Sequence, residues 1–186
     1  PGRVVALLPA GDAHLPDGFA EKLTASLAKY DHPRLVRRVD MPEGLSPEDA
    51  SFGAWVAELE GSAGRIILRA SREDDAWNRA IARNADDVLL VAPLYDRRPE
   101  LSELETYALP LFQPANRQLM LWRPHEAKGI EGTPAWLAER EVKLHHHVPL
   151  DSEAAFDRIA RFMAGKAVGV VLAGGGALGC AHIGVM

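Results

Sequence analysis

A chain of 186 residues, 47% apolar and 25% charged, has the length of one ordinary domain, or of one domain and part of another. Its composition excludes a disordered polymer. Lys and Arg number 21 against 26 Asp and Glu, for a net charge of −5; nucleic acid is not expected as a partner, because phosphate binding needs a basic face. The single cysteine, Cys180, excludes an intramolecular disulfide and a Cys-rich zinc site, and it fits a reducing, cytoplasmic setting. No apolar run approaches the ~20 residues that span a bilayer. The sequence starts at Pro1 with no charged-then-apolar leader, so the chain is expected to begin inside a longer protein.

Arg3 to Leu8 (RVVALL) is a short apolar run closed by Pro9 and Gly11 and reads as a buried strand. Phe19, Leu23, Leu27 and Tyr30 then line one face of a helix behind Asp17. Leu35 to Val39 reads as a second strand. Ser46-Pro47-Glu48-Asp49 has the form of a helix start, with a capping serine, proline at the first position and acids in the first turn. Phe52, Trp55, Val56 and Leu59 follow on one face, up to Gly61 and Gly64. Arg65 to Arg69 is a third strand, Asp74 to Asn84 a helix, and Val88 to Ala92 a wholly apolar strand suited to the sheet centre. Pro99 to Phe112 looks helical until Pro110. Gln118 to Trp122 reads as a fifth strand, Pro134 to Arg140 as a short helix capped by Thr133, and Lys143 to Val148 as an edge strand. Connections too long for hairpins imply βαβ units, hence a parallel sheet with helices on both faces. A last helix from Ser152 to Ala164 carries Phe156, Ile159, Ala160 and Met163 on one face and ends at Gly165.

Several residue groups invite a chemical reading and favour a plainer one. His145-His146-His147 lies on a strand, where alternate side chains face opposite ways, so at most two could share a metal. Glu100, Glu103 and Glu105 with Asp96 read as a solvated helix face. Ser71, Asp74 and His14 have the composition of a triad without a local elbow. Trp55, Trp77, Trp122 and Trp136 sit at apolar periodic positions and read as core.

The C-terminal stretch is more specific. Val168 to Ala173 (VGVVLA) leads into Gly174-Gly175-Gly176-Ala177-Leu178-Gly179 and then Cys180-Ala181-His182-Ile183-Gly184-Val185-Met186. This is strand, glycine loop and helix start, a geometry that aims backbone N–H groups at an anion. A P-loop would need Lys and Ser/Thr where Cys180 and Ala181 stand. Gly174, Gly176 and Gly179 fit a dinucleotide fingerprint, whose acid ~20 residues further on lies past Met186. The third chemistry is an oxyanion hole for acyl transfer.

The stretch GVVLAGGGALGCAHIGVM resembles the opening of the patatin-like phospholipase domain, with its G-G-G-x-[RK]-G loop followed by H-I-G-V. Together with Arg161 to Gly169 ahead of it, it is similar to the bacterial relatives of neuropathy target esterase. The resemblance implies an oxyanion hole at Gly174, Gly175, Gly176 and Gly179, and a Ser-Asp dyad whose serine lies in a G-x-S-x-G beyond Met186. No G-x-S-x-G occurs in this sequence, so the chain alone is not expected to catalyse ester hydrolysis. Leu178 stands where the family carries Arg or Lys, and Cys180 at a small-residue position.

The region ahead of that loop resembles the domain preceding the catalytic domain in those proteins and, more distantly, the deviant P-loop ATPases that position septa and partition plasmids. Its first loop, Pro9 to Pro16, carries no G-K-[ST], and Arg69 stands where such ATPases place a magnesium-binding acid. The expected organisation is a degenerate P-loop-like, Rossmann-like α/β domain over 1–150 with a regulatory role, a linker helix over 151–166, and the start of a patatin-like domain over 167–186. The function implied by resemblance is that of the N-terminal part of a serine lipid hydrolase. It would act on lipid esters through its downstream domain, in the cytoplasm or peripherally at the inner membrane. The alternative is a non-catalytic interaction module, with or without nucleotide. No cofactor and no metal is expected.

Overall fold

The computed structural model describes residues 3–95, 99–125 and 131–169. Six strands form one parallel sheet in the order β2-β3-β1-β4-β5-β6. They are β1 (Arg3–Pro9), β2 (Pro33–Val36), β3 (Arg65–Arg69), β4 (Asp87–Pro93), β5 (Arg117–Arg123) and β6 (Leu144–Pro149). The helices are α1 (Phe19–Leu27), α2 (Ser51–Ser62), α3 (Asp75–Arg83), α4 (Glu103–Ala108), α5 (Thr133–Leu137) and α6 (Glu153–Met163). Strands β1, β3 and β4 are buried along almost their whole length, as a sheet covered on both faces requires. β4, wholly apolar from Val88 to Ala92, is central, between β1 and β5, and β6 is an edge, both as the sequence predicts.

The chain steps from β1 out to β2, back to β3, and then across β1 to β4. Right-handed crossovers therefore put α1 on one face and α2 to α4 on the other. Ring contacts follow that division. Phe52 and Trp55 of α2 meet Trp77 of α3, while Phe19 of α1 meets Phe156 of α6 edge-on at 5.3 Å. The segment 151–166 thus holds a helix docked on α1 through Phe156, Ile159 and Ala160, all buried. Ser152 caps it by accepting from Ala155 N, and Gly165 closes it at a φ of 67°.

Several boundaries differ from the sequence reading: α4 begins at Glu103 rather than Pro99, α5 ends at Leu137 rather than Arg140, and three more have a local cause. The second strand is Pro33–Val36 rather than 35–39, because the Asp40 carboxylate accepts from Arg37 N at 2.7 Å and closes a 3-10 turn over Arg38–Asp40. The capping signature at Ser46 does not start α2. Ser46 N donates to Asp49 Oδ2 at 3.0 Å, which closes a local turn, and the helix begins at Ser51. Gly132, at a φ of 97°, caps α5 in place of Thr133, which begins the helix. Among the described residues, no helix is long and apolar enough to cross a membrane.

Candidate functional site

Open parallel sheets bind ligands in the crevice outside the carboxyl ends of their strands, where the strand order reverses. Here a cleft of about 250 Å³ lies beyond β1 and β3, lined among others by Gly11, Asp12, His14, Arg69, Arg72 and Asp75. Its walls are held by local bonds. Asn78 of α3 is buried and clasps Ser71, accepting from its N at 2.8 Å and donating to its O at 2.9 Å. Asp74 caps α3 through Trp77 N and receives Arg38 Nε at 2.6 Å. Partial burial works to raise the Asp74 carboxyl, but these donors outweigh it and hold it below the usual carboxylate value.

The loop after β1 turns at Gly11, whose φ of 63° lies in the left-handed region that favours glycine. A phosphate-binding loop would present such an amide to its ligand. Here the Gly11 N–H donates instead to Oε2 of Glu105 at 2.8 Å. Glu105 closes a capping box on α4: its N donates to Ser102 Oγ at 3.2 Å, and Ser102 N donates back to Oε2 at 3.0 Å. The carboxylate then pairs with Arg140, Nε to Oε1 at 2.6 Å and Nη2 to Oε2 at 2.9 Å, and neither side chain has exposed surface. Arg140 Nη1 donates to Pro99 O and Trp136 O, and Nη2 also donates to Glu100 O. All five guanidinium donors are thereby used, with the cation 4.8 Å from the centre of the Trp136 ring.

This corrects the reading of Glu105 as part of a solvated acidic face. It is the anionic centre of a buried node that joins the β1 loop, the start of α4, and α5 with the residues after it. Neither partner's role was drawn from the sequence. The Ser102–Glu105 capping-box spacing was a legible signal for the glutamate. Arg140, 35 positions away, carried none.

The other candidates separate. Ser71 and His14 both line the cleft, but Asp74 is committed to Trp77 N and Arg38, so no triad forms. The cleft is of mixed charge: Asp12, Asp17 and Asp75 stand among Arg69 and Arg72, and Arg69 lies 3.7 Å from Glu21. That charge pattern does not favour a polyanion. His145 and His147 share one side of β6 with ring centres 5.5 Å apart, while His146 packs against Phe162 on the other. Among the described residues, no group of His, Cys, Asp and Glu could hold a metal. Trp77 and Trp136 are fully buried and Trp55 and Trp122 partly so, all packed as core. Asp96 and the loop residues Gly174, Gly175, Gly176, Leu178, Gly179, Cys180 and His182 lie outside the described residues.

Two outcomes follow. Glu105→Ala or Arg140→Ala alone leaves an unpaired buried charge and should cost about 3–5 kcal/mol in urea unfolding. The double change to Leu and Met should recover much of that loss, and losses that simply add would show that the two groups do not act as a pair. The second concerns His146, which titrates near 6.5 when unfolded and is held down to about 4 by burial first, then by the positive charges of Arg158, His145 and His147. Between those values the unfolded chain binds the extra proton, so stability should fall as pH drops from 6.5 toward 4. His146→Leu should flatten that slope, measured as the urea midpoint against pH, and an unchanged slope would contradict the assignment.

Comparison with known proteins supplies the family. Residues 3–167 match the family model described as the Neuropathy Target Esterase family P-loop like domain. Patatin-like phospholipase domain-containing protein 7 of Rattus norvegicus is 26% identical over 220 residues, covering 100% of this chain and 16% of the rat protein. Patatin-like phospholipase domain-containing protein 6 of Homo sapiens is 28% identical over 167 residues, covering 76% of this chain and 12% of the human protein. Neuropathy target esterase sws of Drosophila melanogaster is 29% identical over 160 residues, covering 72% and 11%. The chain therefore spans 16% or less of the length of these relatives. A chain of the MinC:MinD cell division protein complex of Aquifex aeolicus superposes with a TM-score of 0.67 at 12% identity, covering 93% of this chain and 100% of that one, a likeness of fold alone. With residues 3 to 167 matched end to end, this chain belongs to the Neuropathy Target Esterase family of P-loop like domains.

Proposed function

We propose that this chain is a regulatory domain of a patatin-like lipid hydrolase, set ahead of the catalytic domain and working without nucleotide hydrolysis. The observation that carries the second half is the bond from Gly11 N to Glu105 Oε2. A hydrolysing loop needs its amides, a lysine and a magnesium-binding hydroxyl for the phosphates. In this chain the Gly11 amide is already engaged by an internal carboxylate, Pro9 to Pro16 offers neither lysine nor Ser/Thr, and Asp12 would repel phosphate. The first half is supported by the family membership and by the names of the relatives.

In this reading the residues after the described part contribute to the neighbouring domain. Backbone N–H groups of Gly174, Gly175, Gly176 and Gly179 would donate to the oxyanion formed when a downstream serine, with an aspartate as base, attacks a lipid ester carbonyl. Leu178 in place of Arg or Lys leaves those donors intact, because they are main-chain groups. The substrate is a lipid ester met at a membrane surface, and the α/β domain acts by packing and position.

Titration calorimetry of the chain with magnesium-ATP tests the non-hydrolytic reading. No binding heat at millimolar nucleotide is expected. Saturable heat accompanied by phosphate release would overturn it. On the full-length protein, a fluorophosphonate probe should label a serine outside this chain, and a protein left unlabelled would contradict the hydrolase assignment.

A further inference from the structure

A second cavity lies at the β6 edge of the sheet, along β6 and the first turns of α6. It has a volume of about 610 Å³ and is lined chiefly by Arg123, His145, His147, Ser152, Arg158 and Arg161. No carboxylate lines it among the described residues, although the whole chain carries a net charge of −5. Of the acids nearest in sequence, Glu153 in the first turn of α6 lines a different cavity, together with Lys22, and two others are engaged elsewhere. Asp157 receives Lys29 Nζ at 3.1 Å, the Tyr30 hydroxyl at 3.0 Å, and Arg161. Asp151 lies 3.0 Å from His125 Nδ1. Arg161 is thus balanced by its own helix neighbour, while Arg158 spends one donor on the His147 carbonyl, at 2.9 Å. That bond sets the exposed guanidinium at the cavity beside the β6 edge.

Two further features point to a ligand. The first turn of the 11-residue helix α6 opens on the cavity through Ser152, Ala154 and Ala155, and the positive end of a helix dipole favours an anion. His146, 6% exposed, joins the lining from the other side of the edge strand and has a buried Nε2 with no hydrogen-bond partner. A buried polar nitrogen left unpaired costs free energy, and a ligand or the water it brings could satisfy it.

We propose that this cavity is an anion site that binds a phosphate group, presented either as free phosphate or as the phosphomonoester headgroup of a lipid. Arg158 is its principal recognition residue, assisted by His145, Arg123 and the first turn of α6. The guanidinium supplies paired donors matched to phosphate oxygens, and the helix end adds main-chain polarity. Burial first, and then the positive charges of His145, Arg123 and Arg158, hold the His147 imidazole below its usual value. This proposal is independent of the lipid-hydrolase reading, since it concerns a site on the α/β domain itself.

The test uses the whole chain with isotopically labelled histidine. Inorganic phosphate is titrated while the ring resonances of His145 and His147 are followed, with chloride at equal ionic strength as control. Saturable shifts with phosphate and none with chloride are expected, and Arg158→Ala should weaken binding about tenfold, the loss of one charge-assisted contact. Co-sedimentation with phosphatidylcholine vesicles, with and without phosphatidic acid, separates the sources. Binding that requires phosphatidic acid and is lost in Arg158→Ala identifies the lipid headgroup, whereas phosphate binding without sedimentation identifies the free anion. The proposal is overturned if neither probe binds, or if both bind Arg158→Ala as tightly as the unchanged chain. Lipid hydrolysis by the full-length protein could fail or succeed without altering any of these outcomes.

Discussion

The buried pair of Glu105 and Arg140 constrains the rest of this domain. Removing both charges from water costs several kcal/mol per ion, and only a complete set of partners offsets that. The set is complete for the arginine: the Glu105 carboxylate and the carbonyls of Pro99, Glu100 and Trp136 occupy every guanidinium donor. Because those acceptors come from separated segments, the pair fixes the relative placement of the β4–α4 connection, α4 and α5. The remaining lone pairs of the carboxylate fall to Ser102 and Gly11. The loop after β1 is therefore shaped by an anion the protein carries within itself.

That arrangement separates the form of a P-loop like sheet from the chemistry of its first loop. The strand order, the glycine turn and the cleft beyond β1 and β3 are retained. The electrostatics are changed: a carboxylate stands where a phosphate would draw the loop amide, and mixed charges line the space beside it. Three arginines, Arg123, Arg158 and Arg161, line instead the cavity beside β6 and α6, at the far edge of the sheet. α6 also packs on α1 through Phe156, so this edge is joined to the core by the helix that precedes residues 167–186.

Much of the sheet was legible because its strands are unbroken apolar runs between glycine and proline stops, as in Val4–Leu8 and Val88–Ala92. Helix faces were legible from periodicity, as with Phe52, Val56 and Leu59. What failed was local capping grammar. Ser46-Pro47-Glu48-Asp49 spends its side chains on a turn of its own, and the Thr133 hydroxyl lies 2.9 Å from His147 Nε2. Both signatures describe hydrogen-bonding capacity without saying which backbone group will use it. The candidate site was legible only in what it lacks, a lysine and a hydroxyl. What fills it depends on an arginine remote in sequence, which no local pattern ties to Glu105.

The central claim is that Glu105 holds the Gly11 amide in place of a ligand phosphate. Hydrogen exchange of the Gly11 amide, read by NMR with and without magnesium-ATP, tests it most directly. The account predicts slow exchange in the unchanged chain, a resonance that ATP does not move, and fast exchange in a folded Glu105→Leu, Arg140→Met chain whose other core amides stay protected. Fast exchange at Gly11 in the unchanged chain, or a saturable shift with ATP, would contradict it.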